Sequence, residues 1–150
     1  MEFAYDSVLK WMKEYFQAYN LYAQDPKTVE RMSDYFAPDM QFTPYVAALG
    51  KGVKSRVDFY RILAGHPSAY EQFTPEDIII DERRQAVVVL LKAEVFDTKT
   101  KKSLFVKRYL PYYQMALDEN KTLKIKKIQF FWEELARGSL DVHEAFRGDR

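Results

Sequence analysis

The sequence predicts an α+β fold in which a cone-shaped, curved sheet of mixed but mostly antiparallel strands wraps over three N-terminal helices. Three observations carry this. The first part of the chain repeats apolar residues at helical spacing. The stretch from Glu82 to Trp132 reads as a long antiparallel meander, Arg84–Phe96, Ser103–Leu117 and Thr122–Trp132. The last of these strands changes its apolar parity partway along, which marks a bend in the sheet.

Tyr5 to Ala23 is the first helix. Tyr5, Val8, Met12, Tyr15, Tyr19 and Tyr22 recur every three or four residues, while Lys10, Lys13, Glu14 and Gln17 lie opposite. The tyrosine stripe reads either as packing or, at Tyr19 or Tyr22, as a hydroxyl aimed into a cavity. Asp25-Pro-Lys-Thr28 breaks the helix, and Thr28 is a cap candidate for a short second helix over Val29–Phe36. Met40–Tyr45 reads as a short strand that Pro44 confines to an edge. Gly50-Lys-Gly52 is a loop without the remaining spacing of a phosphate-binding motif. Ser55 is an N-cap candidate for a third helix whose stripe is Val57, Tyr60, Leu63 and Ala64, stopped by Gly65-His-Pro67. Phe73–Asp81 begins the sheet. After Trp132 the pattern leaves the sheet, and residues 135–150 form a C-terminal arm with a short helix over Leu140–Phe146 that carries His143.

The meander is rich in Val, Ile, Phe and Tyr, which suit a pleated surface. Asp97–Lys102 and Asp118–Lys121 are polar breaks short enough for hairpins. Pairing Phe96 with Ser103 assigns the faces, because side chains alternate along a strand. Val87, Val89, Leu91, Ala93 and Val95 then share a face with Leu104, Val106, Arg108, Leu110, Tyr112 and Gln114. That face should meet the helices. The other, with Lys92, Glu94 and Lys107 among aromatics, should be partly wet or form a subunit contact. In the last strand Leu123 and Ile125 hold one parity, and Ile128, Phe130 and Trp132 hold the other. A β-bulge at Lys126–Lys127 would restore one apolar face and curve the sheet over a pocket.

Composition bounds the partners. A chain of 150 residues is the size of one domain, here 1–150, and buries roughly 70% of its unfolded surface. Lys and Arg total 23 against 22 Asp and Glu, so no basic excess points to nucleic acid. There is no cysteine, which removes disulfide and thiolate chemistry and suits a reducing, cytoplasmic setting. The start Met-Glu-Phe-Ala-Tyr-Asp lacks a signal-peptide pattern, and no apolar run approaches the ~20 residues of a membrane span. Neither a cofactor motif nor a metal-ligand set is read. Eleven Tyr and eleven Phe suit a half-polar pocket wall.

The order of elements resembles the NTF2-like superfamily, also described as cystatin-like, and within it the SnoaL-like and ketosteroid-isomerase-like branches. Tyr35-Phe-Ala-Pro-Asp-Met-Gln-Phe42 is similar to that family's link into the first strand. Gly52 followed by Arg56-Val-Asp-Phe-Tyr60 is similar to its glycine-then-helix signature. The resemblance spans residues 4–134. It implies a deep apolar pocket, homodimers through the open sheet face, and roles from isomerase, dehydratase or cyclase to plain binding module. Fold alone does not choose among these. The isomerase branch's carboxylate base would fall at Thr43 or Pro44, neither of which abstracts a proton. Its oxyanion-binding tyrosine would fall near Tyr19, which matches in type. A dehydratase-like histidine–aspartate pair has no match, since His66 lies just past the third helix.

The residues themselves leave Arg108 as the group to explain. On the Phe96–Ser103 pairing it enters the apolar face beside Tyr112 and Gln114. A lone buried charge costs several kcal/mol, so it needs either an internal carboxylate or an anionic ligand. The expected ligand-binding set is therefore Tyr19, Tyr22, Tyr60, Arg108, Tyr112, Gln114 and Trp132, with no catalytic residue assigned. The expected occupant is a small, largely apolar molecule, with or without one acidic group. The competing expectation is a non-catalytic dimeric module whose cavity is plugged by its own aromatics. No nucleic acid and no membrane enters either reading.

Overall fold

The computed structural model describes residues 2–45, 52–64 and 68–132. Helix α1 spans Tyr5–Tyr22 and presents Val8, Met12, Tyr15, Phe16 and Tyr19 to the interior, the stripe that the spacing predicts. The second helical segment is a 3-10 helix over Pro26–Tyr35, tighter than expected and long for that geometry. Its cap is Asp25, not Thr28. The Asp25 carboxylate accepts from the Lys27 N–H at 3.0 Å, while the Thr28 hydroxyl donates to the carbonyls of Tyr22 and Asp25. Strand β1 runs Phe36–Tyr45, and β2 is only Lys54–Ser55. Ser55 Oγ accepts from the Asp58 N–H, capping α2 at Arg56–Ala64 as expected. The core-facing side of α2 keeps Tyr60 and Leu63 of the expected stripe but not Val57. Phe59 is buried with Tyr60, Ile62 and Leu63 against the core, whereas Val57 is exposed. Strands β3 (Ala69–Asp81), β4 (Ala86–Asp97), β5 (Ser103–Leu117) and β6 (Leu123–Trp132) complete the chain's described part.

The six strands form one sheet in the order β2-β1-β6-β5-β4-β3. All neighbours are antiparallel except β1 and β6, which run parallel, so the sheet is mixed. β2 reaches only Gln41 and Phe42, which leaves Pro44 with a strand on one side alone, the position a missing N–H tolerates. The bulge expected near Lys126 is present. Lys127 pairs with Gln114 and Ile125 with Met115, so Lys126 is the extra residue, and Leu123, Ile125 and Ile128 are buried together.

A second bulge was not expected, and it reverses the assignment of β5. Phe96 does pair with Ser103, but Val95 pairs with Phe105, which makes Leu104 the extra residue. Every residue beyond it changes face. Tyr109, Pro111, Tyr113 and Met115 are buried with Val87, Val89, Leu91 and Ala93, while Val106, Leu110 and Gln114 are exposed. A third bulge puts Glu76 as the extra residue of β3, between Pro75 and Asp77. The curled sheet closes over α1 and α2, and its concave face supplies the core.

Asn20 ties α1 to the edge strand β3. Its amide nitrogen donates to the Phe73 carbonyl at 2.8 Å, and its amide oxygen accepts from the Phe73 N–H at 2.6 Å. An edge strand's unpaired backbone is thus satisfied by a side chain that mimics another strand.

Candidate functional site

Between the concave sheet and the two α-helices lies a cavity of about 280 Å³. Its inner wall is built from the buried phenols Tyr15, Tyr19, Tyr109 and Tyr113, with Ile128 beneath. Phe59, Ile62 and Leu63 of α2 and Phe42 of β1 close one side. Ser68, Tyr70, Leu104 and Phe105 lie toward the opening, where Leu104 is 53% and Phe105 46% exposed. Among the described residues of the lining, the charged side chains are Glu71 and Lys107.

The rings hold each other in fixed orientations. Tyr19 stacks on Phe73 with centroids 4.3 Å apart, and Phe73 meets Tyr109 edge-on at 6.0 Å. Phe42 packs on Phe59 at 4.8 Å, and Tyr109 on Phe130 at 5.0 Å. Tyr113 meets the edges of Tyr15 and Phe16. Such pairs add about 0.5–1.5 kcal/mol each beyond the area they bury, so the wall is preorganised.

Burial raises the pKa values of Tyr15, Tyr19 and Tyr113 above the ordinary phenol value. For Tyr19 the nearby Glu71 charge adds to this, for Tyr113 the neighbouring Tyr15 phenol does, and for Tyr15 the hydrogen bond with Tyr113 offsets part of the rise. All three therefore remain protonated near neutral pH and can donate hydrogen bonds. One Glu71 carboxylate oxygen is shielded from solvent. At the opening the Lys107 ammonium sits 5.1 Å from the centre of the Phe105 ring, a cation–π distance.

The structure brings together only part of the expected site set. Tyr19 lines the cavity. Tyr22 and Tyr60 pack against the core without facing the cavity, and the Tyr60 hydroxyl is buried without a hydrogen-bond partner. The expected inward placement of Arg108, Tyr112 and Gln114 is corrected by the Leu104 bulge, which turns all three to the convex face. There Arg108, 53% exposed along its side chain, pairs with Glu76 through Nε–Oε1 at 2.5 Å and Nη2–Oε2 at 3.3 Å. Its carboxylate partner is thus internal to the chain but at the surface, and it comes from the β3 bulge. Trp132 pairs its backbone with Tyr109, and its side chain lies outside the described residues, as do His66, His143 and the expected C-terminal arm. The reading missed Glu71, Lys107, Tyr109 and Tyr113. The last three follow from the β5 register, and Glu71 precedes the point where the expected strand begins.

Among the described residues no cluster of His, Asp or Glu is arranged to hold a metal ion. None of the described helices is long and apolar enough to cross a membrane.

No protein-family model matches the chain, and no curated protein matches it. Solved structures do. AusH from Aspergillus nidulans superposes with a TM-score of 0.69 at 16% identity, over 89% of this chain and 88% of that one. SalBIII, described as an epoxide hydrolase/cyclase-like enzyme in pyran ring formation in the polyether salinomycin, superposes with a TM-score of 0.63 at 18% identity, over 85% and 92%. An NTF2-like protein of unknown function from Burkholderia pseudomallei gives 0.58 at 16%, over 83% and 89%. At such identities the likeness is one of fold. The chain has the NTF2-like, cystatin-like fold, an α+β cone whose sheet curls around an internal cavity.

Proposed function

We propose that this protein binds a small, largely apolar molecule in the cavity between its sheet and helices. The observation that carries the reading is the cavity itself, about 280 Å³ and walled mainly by aromatic and aliphatic side chains with a few polar groups. That composition is the usual one for small-molecule sites, and the volume sits near the lower end of their range. The cavity also weighs against the plugged module, since Tyr19 and Phe42 line the space rather than fill it.

The test is a thermal-shift and calorimetric screen of apolar ring compounds on the wild-type protein and on Ala69→Phe, which places a ring in the cavity wall. Binding to the wild type that the variant loses supports the reading. Equal binding by both proteins refutes it, as does a screen without a single binder.

A second reading, acid–base catalysis of an isomerase, dehydratase or cyclase kind, is favoured by Glu71 standing near Tyr19. A carboxylate can take a proton while a protonated phenol donates to a developing oxyanion. The hydrolase/cyclase-like description of SalBIII suits the same reading. Homodimerisation belongs to the proposal as well, through the convex face, where Leu90, Val106, Leu110 and Phe131 are exposed. A cytoplasmic location completes it, consistent with a cysteine-free chain.

A further inference from the structure

We propose that the tip of the β4–β5 hairpin docks on the surface of an anionic lipid bilayer and brings the cavity opening against it. The inference is independent of what the cavity holds, and its failure leaves the pocket reading untouched.

The start of β5 stands clear of the core. Ser103, Leu104, Phe105 and Val106 are all exposed, Leu104 by 53%. Phe105 lies opposite Val95 on the cavity face and Val106 opposite Glu94 on the convex face, so the hairpin end is open on both sides. The turn itself carries exposed Lys99, Lys101 and Lys102 against the one carboxylate of Asp97. That carboxylate accepts from the N–H groups of Lys99 at 2.9 Å and Thr100 at 2.8 Å, which lowers its pKa and fixes the turn. Three cations against one anion leave the tip with a positive surplus, although the whole chain totals only +1. Glu71 and Lys107 along the cavity wall are opposite in sign and leave that surplus unchanged, as do Glu94 and Lys92 on the convex side of β4.

The apolar part of the tip adjoins the opening. Leu104, Phe105 and Tyr70 line it, and Tyr70 stacks on Phe96 at 5.5 Å with the Lys101 ammonium 4.9 Å from its ring centre. Lysines around exposed apolar and aromatic side chains match the layering of a bilayer surface. The cations meet phosphate headgroups, and Leu104 and Phe105 reach the acyl boundary. The expectation of no membrane partner rests on run length and whole-chain charge, and neither measures a local surface.

The test is co-sedimentation of the full chain with phosphatidylcholine vesicles and with phosphatidylcholine–phosphatidylglycerol vesicles at about 7:3. The wild type should partition to the mixed vesicles at least tenfold more strongly than to the neutral ones, and raising the salt from about 0.1 M to about 0.5 M should remove most of the difference. Each lysine near an anionic leaflet adds about fivefold, so Lys99→Gln/Lys101→Asn/Lys102→Gln should lower partitioning about a hundredfold. Asparagine suits position 101 because the backbone there has φ 60°. Phe105→Ser should weaken binding about tenfold. Leu104→Trp should gain blue-shifted emission, relative to the wild type, with mixed vesicles only. Equal partitioning to both vesicle types, equal binding by the wild type and the triple lysine variant, or no binding at all overturns the proposal. Vesicle-independent self-association that Phe105→Ser abolishes also overturns it, and assigns the tip to a second copy of the chain. The wild-type comparison of vesicles and salt decides the matter even if a variant fails to fold.

Discussion

Leu91 and Leu110 provide the sharpest test of the sheet register. An unbulged hairpin puts both on the buried face. The bulge at Leu104 separates them, leaving Leu91 at 0% exposure and Leu110 at 48%. Leu91 packs opposite Tyr109 within the core, whereas Leu110 lies opposite Phe131 on the convex face. Truncating a fully buried leucine to alanine costs about 2–5 kcal/mol, because the lost transfer energy is joined by a cavity. A half-exposed leucine forfeits only part of its transfer energy, about 1 kcal/mol, and leaves no enclosed void. For a chain of this size 1 kcal/mol moves Tm by about 2–4 °C. Leu91→Ala should therefore lower Tm by about 4–20 °C, and Leu110→Ala by about 2–4 °C. Urea unfolding should show the same ranking with unchanged m-values. The melts should be run at two protein concentrations tenfold apart, so that any contribution of Leu110 to self-association appears as a concentration dependence. Equal losses for the two variants at both concentrations would refute the bulge and return Arg108 to the interior.

Two further outcomes follow from the interior polar groups. Asn20→Ala strips the Phe73 N–H and carbonyl of their partners and should cost about 2 kcal/mol. Hydrogen exchange at Phe73 should accelerate more than exchange in β4; uniform acceleration would show that the amide is not a local tie. The buried phenols Tyr15, Tyr19 and Tyr113 have folded pKa values above the unfolded value of 10.0, so the folded state binds more protons than the unfolded state at high pH. Their contribution to stability is complete below pH 10 and declines as pH rises through and beyond it. Absorbance at 295 nm should show these three ionising together with the loss of circular dichroism, and their ionisation in an intact fold would contradict their burial.

How much of this was legible in the sequence depends on whether a strand's two faces differ chemically. In β6 they do. Lysines alternate with Leu123, Ile125, Ile128 and Phe130, so an inserted residue leaves a visible break in parity, and the Lys126 bulge could be read directly. At the start of β5 they do not. Leu104, Phe105 and Val106 are all apolar, so a one-residue slip produces an equally plausible buried face. The distinction lay beyond Lys107, where Arg108 and Gln114 share one parity while Tyr109, Pro111, Tyr113 and Met115, without a charge among them, share the other. Helix α1 was legible because its stripe is long and its opposite face charged. The α2 stripe was legible only in part, at Tyr60 and Leu63, since Val57, Phe59, Tyr60, Ile62 and Leu63 crowd nine residues with apolar side chains on every side. Asn20 did carry a signal, as a poor helix former near the end of an otherwise apolar stripe, but its partner lies 53 residues away.

The Leu104 bulge also determines which β5 side chains line the cavity. Without it, β5 would send a guanidinium inward, and an anionic ligand would be the natural complement. With it, Arg108 is matched outside by Glu76, the residue that β3's own bulge leaves over. Lys107, Tyr109 and Tyr113 turn inward instead, and the phenols join Tyr15 and Tyr19 from α1 near the Glu71 carboxylate. The one extra residue thus exchanges the Arg108 guanidinium on the inward face for the Lys107 ammonium and two phenols. The same insertion exposes Val106 and Leu110 on the convex face, where a second copy would find them. The lining of the cavity and the exposed residues of the convex face are therefore set by the same backbone irregularity. A variant that deletes Leu104 removes the extra residue but keeps Val95 opposite Phe105, so it should retain the inward phenols and the convex apolar surface together.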